Sequence, residues 1–275
     1  MSDVGWVLDK LLLSKQSTEQ LVLFGLILGR LLPVVVMTPF LGGKNAPEPV
    51  KIGLAVLLAL LVYPVVSAGN TVPPPTTPIA FLVLMLKEVF IGFCIGFVLF
   101  ELFLIADMLG RLVDLLRGTN MATALVPELK ERSSVFGNLS FQLFLVIFLS
   151  IGGHRFFLGA LFTSFVGLPV TEMPQFQAAG IGAFAELIMI SAARILMVAV
   201  ALAMPILVAV FLTDLTFGLL NRTAPQIQAY FLSLPAKAIA GVWLFALGLA
   251  TTIQVLAAEG VVFLQRLEEL LRLMR

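Results

Sequence analysis

The chain has one cysteine, Cys94, and one histidine, His154, in 275 residues. A single thiol excludes an internal disulfide and any cluster built on several cysteines. A single imidazole, with no second nitrogen or sulfur donor to join it, does not make a metal site. Charge is scarce too: 12% of residues are charged and the net charge is +1, unlike the basic patch of a nucleic-acid binder. A phosphate-binding glycine loop, a nucleophile beside its base and a metal-ligand spacing are all missing. No catalytic, cofactor-binding or metal-ligating residue is assigned, no cofactor is expected, and an enzyme is not. The N-terminal stretch, with Asp3, Asp9, Lys10 and Lys15 spread through it, lacks the order of a signal peptide.

What the chain has in quantity is apolar surface. Hydrophobic residues make up 60% and the mean hydropathy is +1.09. Soluble domains have about 45–50% apolar and about 25% charged residues. An integral membrane protein follows, and since no hydrophilic block could form a separate soluble domain, a single polytopic all-α unit is expected.

The apolar runs fit a bilayer poorly. Crossing the hydrocarbon takes about 20 apolar residues; the runs 52–66 and 156–170 offer about 15 each. The run 178–220 would be roughly 65 Å long as one helix, so a break or fold-back is expected near Arg194 or Pro205. Arg30, Lys87, Glu88, Glu101, Glu186, Arg194 and Asp214 interrupt apolar runs, and each would cost a few kcal/mol facing lipid. They snorkel, pair between helices, or face partner proteins or a water-filled path. The segments 67–78 and 171–177 contain no Lys or Arg, but the basic residues elsewhere do not decide an orientation.

Several stretches carry more specific signals. "VPPPTTP" at 72–78 is a stiff extended connector. Gly92 and Gly96 form a GxxxG pair, a spacing that lets helices approach closely. Asp107, Arg111 and Asp114 fall on one face of the helix that continues past Ile105, where they can pair along it. The stretch 117–134, "RGTNMATALVPELKERSS", is either a solvent loop or a segment that lines or blocks a conduit. Gly152, Gly153, His154 and Arg155 make a tight turn between helices. Residues 259–275 alternate apolar and charged positions as an amphipathic helix.

The remaining polar island, "LLNRTAPQIQ" at 219–228, follows Asp214 and Gly218. It closely resembles the signature of the FliR/SctT family, membrane proteins of the type III secretion export gate. Further matches come in the same order along the chain. "GRLLPVVVMTPFLGGKNAPEPVKIGLAV" at 29–56 looks like the family's N-terminal helix and loop. "LKEVFIGFCIGFVLF" at 86–100 looks like its Glu-bearing, Gly-rich helix, and "GGHRFFLGAL" at 152–161 like its central turn. The last motif and Asn221-Arg222 lean toward the injectisome branch over the flagellar one.

The resemblance implies a helical hetero-oligomeric gate with kinked helices and hairpins, conducting unfolded substrate proteins across the bacterial inner membrane. Residues 1–190 would be a FliP/SctR-like portion and 191–275 a FliQ/SctS-like hairpin with an amphipathic C-terminal helix. It implies FliP/SctR-like and FliQ/SctS-like partners, with FlhB/SctU-like and FlhA/SctV-like proteins besides, in contact with membrane lipid. A plug loop near 118–134 would use Gly118, Thr119, Asn120, Met121, Ala122 and Thr123. Asn221, Arg222, Pro225, Gln226 and Lys237 would form the hairpin tip, with Arg222 and Lys237 as two like charges bracketing it. Gly92, Gly96, Glu88 and Glu101 would serve helix packing or partner contact. The alternative from a different class is a small-molecule or ion transporter coordinating its cargo with Glu88, Glu101 and Asp214.

Overall fold

The computed structural model describes residues 15–43, 46–69, 72–75, 77–117, 134–173 and 180–273. Among them are seven α-helices: α1 Lys15–Met37, α2 Glu48–Gly69, α3 Pro78–Leu116, α4 Val135–Ser150, α5 Gly153–Gly167, α6 Gly180–Thr223 and α7 Ala229–Leu273. A short 3-10 turn, Pro225–Ile227, joins the last two. The chain is an all-α, multi-pass membrane protein. Five helices are long and apolar enough to cross a bilayer, or up to six spans if α4 and α5 count as one broken span.

The helices divide into two compact units, each discontinuous in sequence. One takes Met1–Phe100, His154–Ile188 and Phe263–Arg275; the other takes Glu101–Gly153 and Met189–Val262.

In the first unit, α1 and α3 meet through small residues. A Cβ on Gly29 would lie 2.7 Å from Met85 Sδ, one on Gly96 would lie 3.1 Å from Met37 Cβ, and one on Gly92 would overlap the Arg30 carbonyl. These contacts climb both helices in the same direction, so α1 and α3 run parallel with their backbones nearly touching. Leu26, Ile27, Leu31, Val34 and Val35 of α1 and Ile91, Ile95, Val98 and Leu99 of α3 are completely buried.

In the second unit the residues 189–262 of α6 and α7 form an antiparallel hairpin. The expected break in the run 178–220 does not occur: α6 is one helix of 44 residues with Pro205 inside it. Proline removes one backbone hydrogen bond, but one face continues straight past it, through buried Ile195, Ala199, Ala203, Ile206 and Val210. The spacing of four, four, three and four residues keeps that stripe on one side, and packing along it holds the helix together. Leu109, Val113 and Phe136 complete the core with Ala203, Ile206, Val210 and Phe245. Phe103 gathers Phe141, Phe144 and Phe148 at ring-centroid distances of 5.7, 5.1 and 5.4 Å.

Two smaller expectations also meet the structure. The chain turns at Gly152, whose φ of +79° suits glycine. The amphipathic stretch from Glu259 is not a separate surface helix but the continuation of α7 to Leu273.

Candidate functional site: buried ion pairs and an exposed hairpin tip

Charges within apolar helices decide what this chain can do, because each must find a partner or lie at a polar path. In the first unit Arg30 is the hub. Its Nε and Nη2 donate to Glu88 Oε2 and Oε1 at 2.5 and 3.0 Å. Nη1 donates to the Ser164 carbonyl at 2.9 Å, and Nη2 also to the Leu168 carbonyl at 2.7 Å. The guanidinium lies over the Phe165 ring, 4.3 Å from its centroid. Arg30 and Glu88 are both fully buried.

Lys87 completes the network. Its Nζ sits 2.6 Å from Glu88 Oε1 and donates to the carbonyls of Pro169, Val170 and Glu172 at 3.0, 3.1 and 2.8 Å. Two cations thus share one carboxylate, and main-chain oxygens at and beyond the end of α5 take up the remaining donors. Helix C-termini favour positive charge. The arrangement binds α1, α3 and the end of α5 to one point. Both Glu88 oxygens are engaged by cations of this chain, which offset its charge within the first unit.

In the second unit two ion pairs clip the α6–α7 hairpin. Arg194 Nε and Nη2 donate to Glu259 Oε2 and Oε1 at 2.8 and 2.9 Å, and Lys237 pairs with Asp214 nearer the tip. Between the pairs neither helix carries a charge. Glu101 is buried on α3.

The tip is otherwise solvent-facing. Asn221, Arg222, Pro225 and Gln226 are exposed. Gln228 takes a left-handed φ of +47° as the chain enters α7. The two like charges expected to bracket the tip are not equivalent: Lys237 is buried against Asp214, which leaves Arg222 as the exposed cation between Asp214 and Lys237. Tyr230 and Phe231, in the first turn of α7, are about half and two-thirds exposed, at 49% and 65%.

Asp107 and Arg111 pair along α3 at 2.7 Å, as their spacing predicts. Asp114 turns instead to the start of α4, which sequence spacing did not signal. Its Oδ2 accepts from Ser134 Oγ at 2.7 Å and from Phe136 N at 2.9 Å. Gly118, Thr119, Asn120, Met121, Ala122 and Thr123 lie outside the described residues.

Residues 21–259 match the family described as bacterial export proteins, family 1. The chain is 33% identical over 219 residues to the Yop proteins translocation protein T of Yersinia pestis, covering 79% of this chain and 82% of that one. It is 29% identical over 228 residues to the secretion system apparatus protein SsaT of Salmonella typhimurium, covering 82% and 86%. It is also 27% identical over 217 residues to the flagellar biosynthetic protein FliR of Bacillus subtilis, covering 78% and 81%. With its ordered motifs and its family match over most of its length, this chain belongs to the bacterial export proteins, family 1, the FliR/SctT family of export-gate membrane proteins.

Proposed function

We propose that this chain is the FliR/SctT-type subunit of a type III export gate in a bacterial inner membrane, conducting unfolded proteins with partner membrane proteins. The observation that carries this reading is the length of its exposed apolar surface. On α6 exposed large hydrophobics run from Met189 through Met204, Phe211 and Leu219 to Leu220; on α7 they run from Tyr230 through Trp243 and Leu247 to Val261. Each stretch covers about 46 Å at 1.5 Å per residue. The hydrocarbon layer is about 30 Å thick, and even a tilt of about 40° leaves roughly 36 Å along the membrane normal. Lipid alone does not cover such a surface, whereas neighbouring apolar helices do.

In this reading the neighbours are FliP/SctR-like and FliQ/SctS-like proteins, with FlhB/SctU-like and FlhA/SctV-like proteins further out. Residues 1–190 and 191–275 correspond by kinship to the first two of these, a division of ancestry rather than of compactness. The injectisome branch remains our reading from Gly152–Arg155 and Asn221–Arg222. Residues 118–123 serve as the plug. The test is co-expression with the two small partner proteins, solubilisation in mild detergent and native mass determination. A complex containing all three chains supports the reading; this chain recovered alone or as a homo-oligomer removes it.

A further inference from the structure

We propose that Lys87 is a tethered cation filling a site for a compact monovalent cation, built from Glu88 and three main-chain carbonyls. With the ammonium removed, the same oxygens bind potassium or ammonium from solution. The inference goes beyond the export-gate reading and does not depend on it. Lys87 Nζ lies 2.6 Å from Glu88 Oε1 and 3.0, 3.1 and 2.8 Å from the carbonyl oxygens of Pro169, Val170 and Glu172. An ammonium has three N–H donors, one fewer than the oxygens around it. The shell therefore converges on a point of positive charge rather than on three directed bonds.

The oxygens suit one class of ligand. Converging carbonyls replace the hydration shell of potassium in channel filters, and the Glu88 carboxylate adds a counter-charge. The distances from Nζ are long for Ca2+, at about 2.3–2.6 Å, and longer still against Mg2+, at about 2.0–2.1 Å, which leaves a large monovalent ion. The three carbonyls gather because the chain turns there. Pro169 follows the end of α5 at Gly167, where a proline stops a helix, and Glu172 N donates back to the Pro169 carbonyl at 3.4 Å. No Lys or Arg occurs between Arg155 and Arg194, so the cation for these carbonyls comes from another helix.

There is also room to reach it. Pro169 and Val170 line a cavity of about 80 Å³ with Val65, Val66 and Gly69 of α2, space for several waters at about 10–15 Å³ each. A small cation can thus approach two of the residues whose carbonyls form the site. Arg30 holds Glu88 through Nε and Nη2, independently of Lys87. A free monovalent ion in place of the ammonium leaves the balance unchanged, two positive charges on one carboxylate, whereas the Arg30 charge disfavours a divalent one.

The test uses the full chain in mild detergent, with the partners it retains, and reads the unfolding midpoint at constant ionic strength. Choline chloride, whose cation is too bulky for the site, is exchanged stepwise for potassium or ammonium chloride. Wild type should show no preference among these salts. Lys87→Ala should melt lower in choline and regain about 2–4 °C, saturably, as potassium or ammonium replaces it. Lys87→Met refills the space without charge and should melt low in every salt. Lys87→Arg should do the same, because a planar fork does not centre its charge among four oxygens. If Lys87→Ala is lost in choline, purification in ammonium chloride should yield it folded, with Lys87→Ser as a second variant. An equal midpoint for Lys87→Ala in choline and potassium overturns the proposal, as does failure of both small variants to fold in any salt. A salt recovery shared by Lys87→Met places the effect elsewhere and also overturns it. Lys87→Arg melting with wild type does so too, since charge alone would then suffice.

Discussion

Arg30 and Glu88, 58 residues apart in sequence, meet in a bidentate ion pair that is completely closed to solvent. Taking both charges out of water costs several kcal/mol each, and the pair is tolerated because carbonyls and Lys87 engage the remaining donors and lone pairs. Removing one partner leaves the other buried without its counter-charge. Glu88→Leu or Arg30→Leu is therefore expected to lower stability by about 3–5 kcal/mol. The double variant should lose clearly less than the sum of the two. Thermal unfolding of the purified complex, run as a double-mutant cycle, measures the coupling. Strictly additive losses would show that the two side chains act independently.

The hairpin clip at Arg194 and Glu259 makes a second, separable prediction. The pair is partly exposed on the arginine side, 36% against 10% for the glutamate, so its loss should be milder than that of Arg30. Arg194→Glu and Glu259→Arg should each reduce the yield of assembled complex several-fold, through like charges facing each other across the hairpin. Combining them restores an opposite pair and should recover most of the yield, as native gels or size exclusion would register. A double swap no better than the single reversals would mean the hairpin is held by its apolar stripe alone.

The charges flagged by their place in apolar runs were the legible part of the site. Arg30, Lys87, Glu88, Arg194 and Asp214 each have an ion-pair partner in the fold. What periodicity does not give is which helix supplies that partner, because it reports the face a residue occupies and not the neighbour it meets. The pairing of Arg194 with a residue 65 positions later depends on the hairpin register. Pro205 misled for a related reason: helix length weighed against bilayer thickness demands a break, but the buried stripe on either side of the proline keeps one helix intact. Asp107 and Arg111 pair along α3 as their spacing predicts, whereas Asp114 is buried and holds the start of α4. Its work at the start of a helix 22 residues on leaves no local trace.

The close crossing of α1 and α3 predicts unequal effects of the same small substitution. Gly92→Ala sets a methyl group onto the Arg30 carbonyl, and backbone atoms cannot yield as a flexible side chain does. Overpacking of this kind costs about 1–3 kcal/mol, and here it also disturbs the residue carrying the buried guanidinium. Gly53→Ala on α2 is the control, since nothing lies within 4 Å of its Cβ. That change should be neutral or stabilising by up to about 1 kcal/mol through helix propensity. Equal melting temperatures for the two variants would remove the crossing as a constraint.

At the tip, the two cations that look alike in sequence should behave differently. Lys237 is enclosed and paired with Asp214, so Lys237→Glu places two carboxylates together and should lower the yield of the complex itself. Arg222 is exposed at the end of α6 and makes no ion pair among the described residues. Its charge is therefore free for a surface outside this chain, either acidic or rich in carbonyl oxygens, since guanidinium groups favour both. Arg222→Glu should leave assembly near the wild-type level while reducing secretion several-fold, measured as exported substrate per assembled complex. Arg222→Lys keeps the charge without the planar fork and should fall between. If Arg222→Glu instead lowers the complex yield in proportion to secretion, the arginine is a structural element of the hairpin and its exposure has no bearing on export.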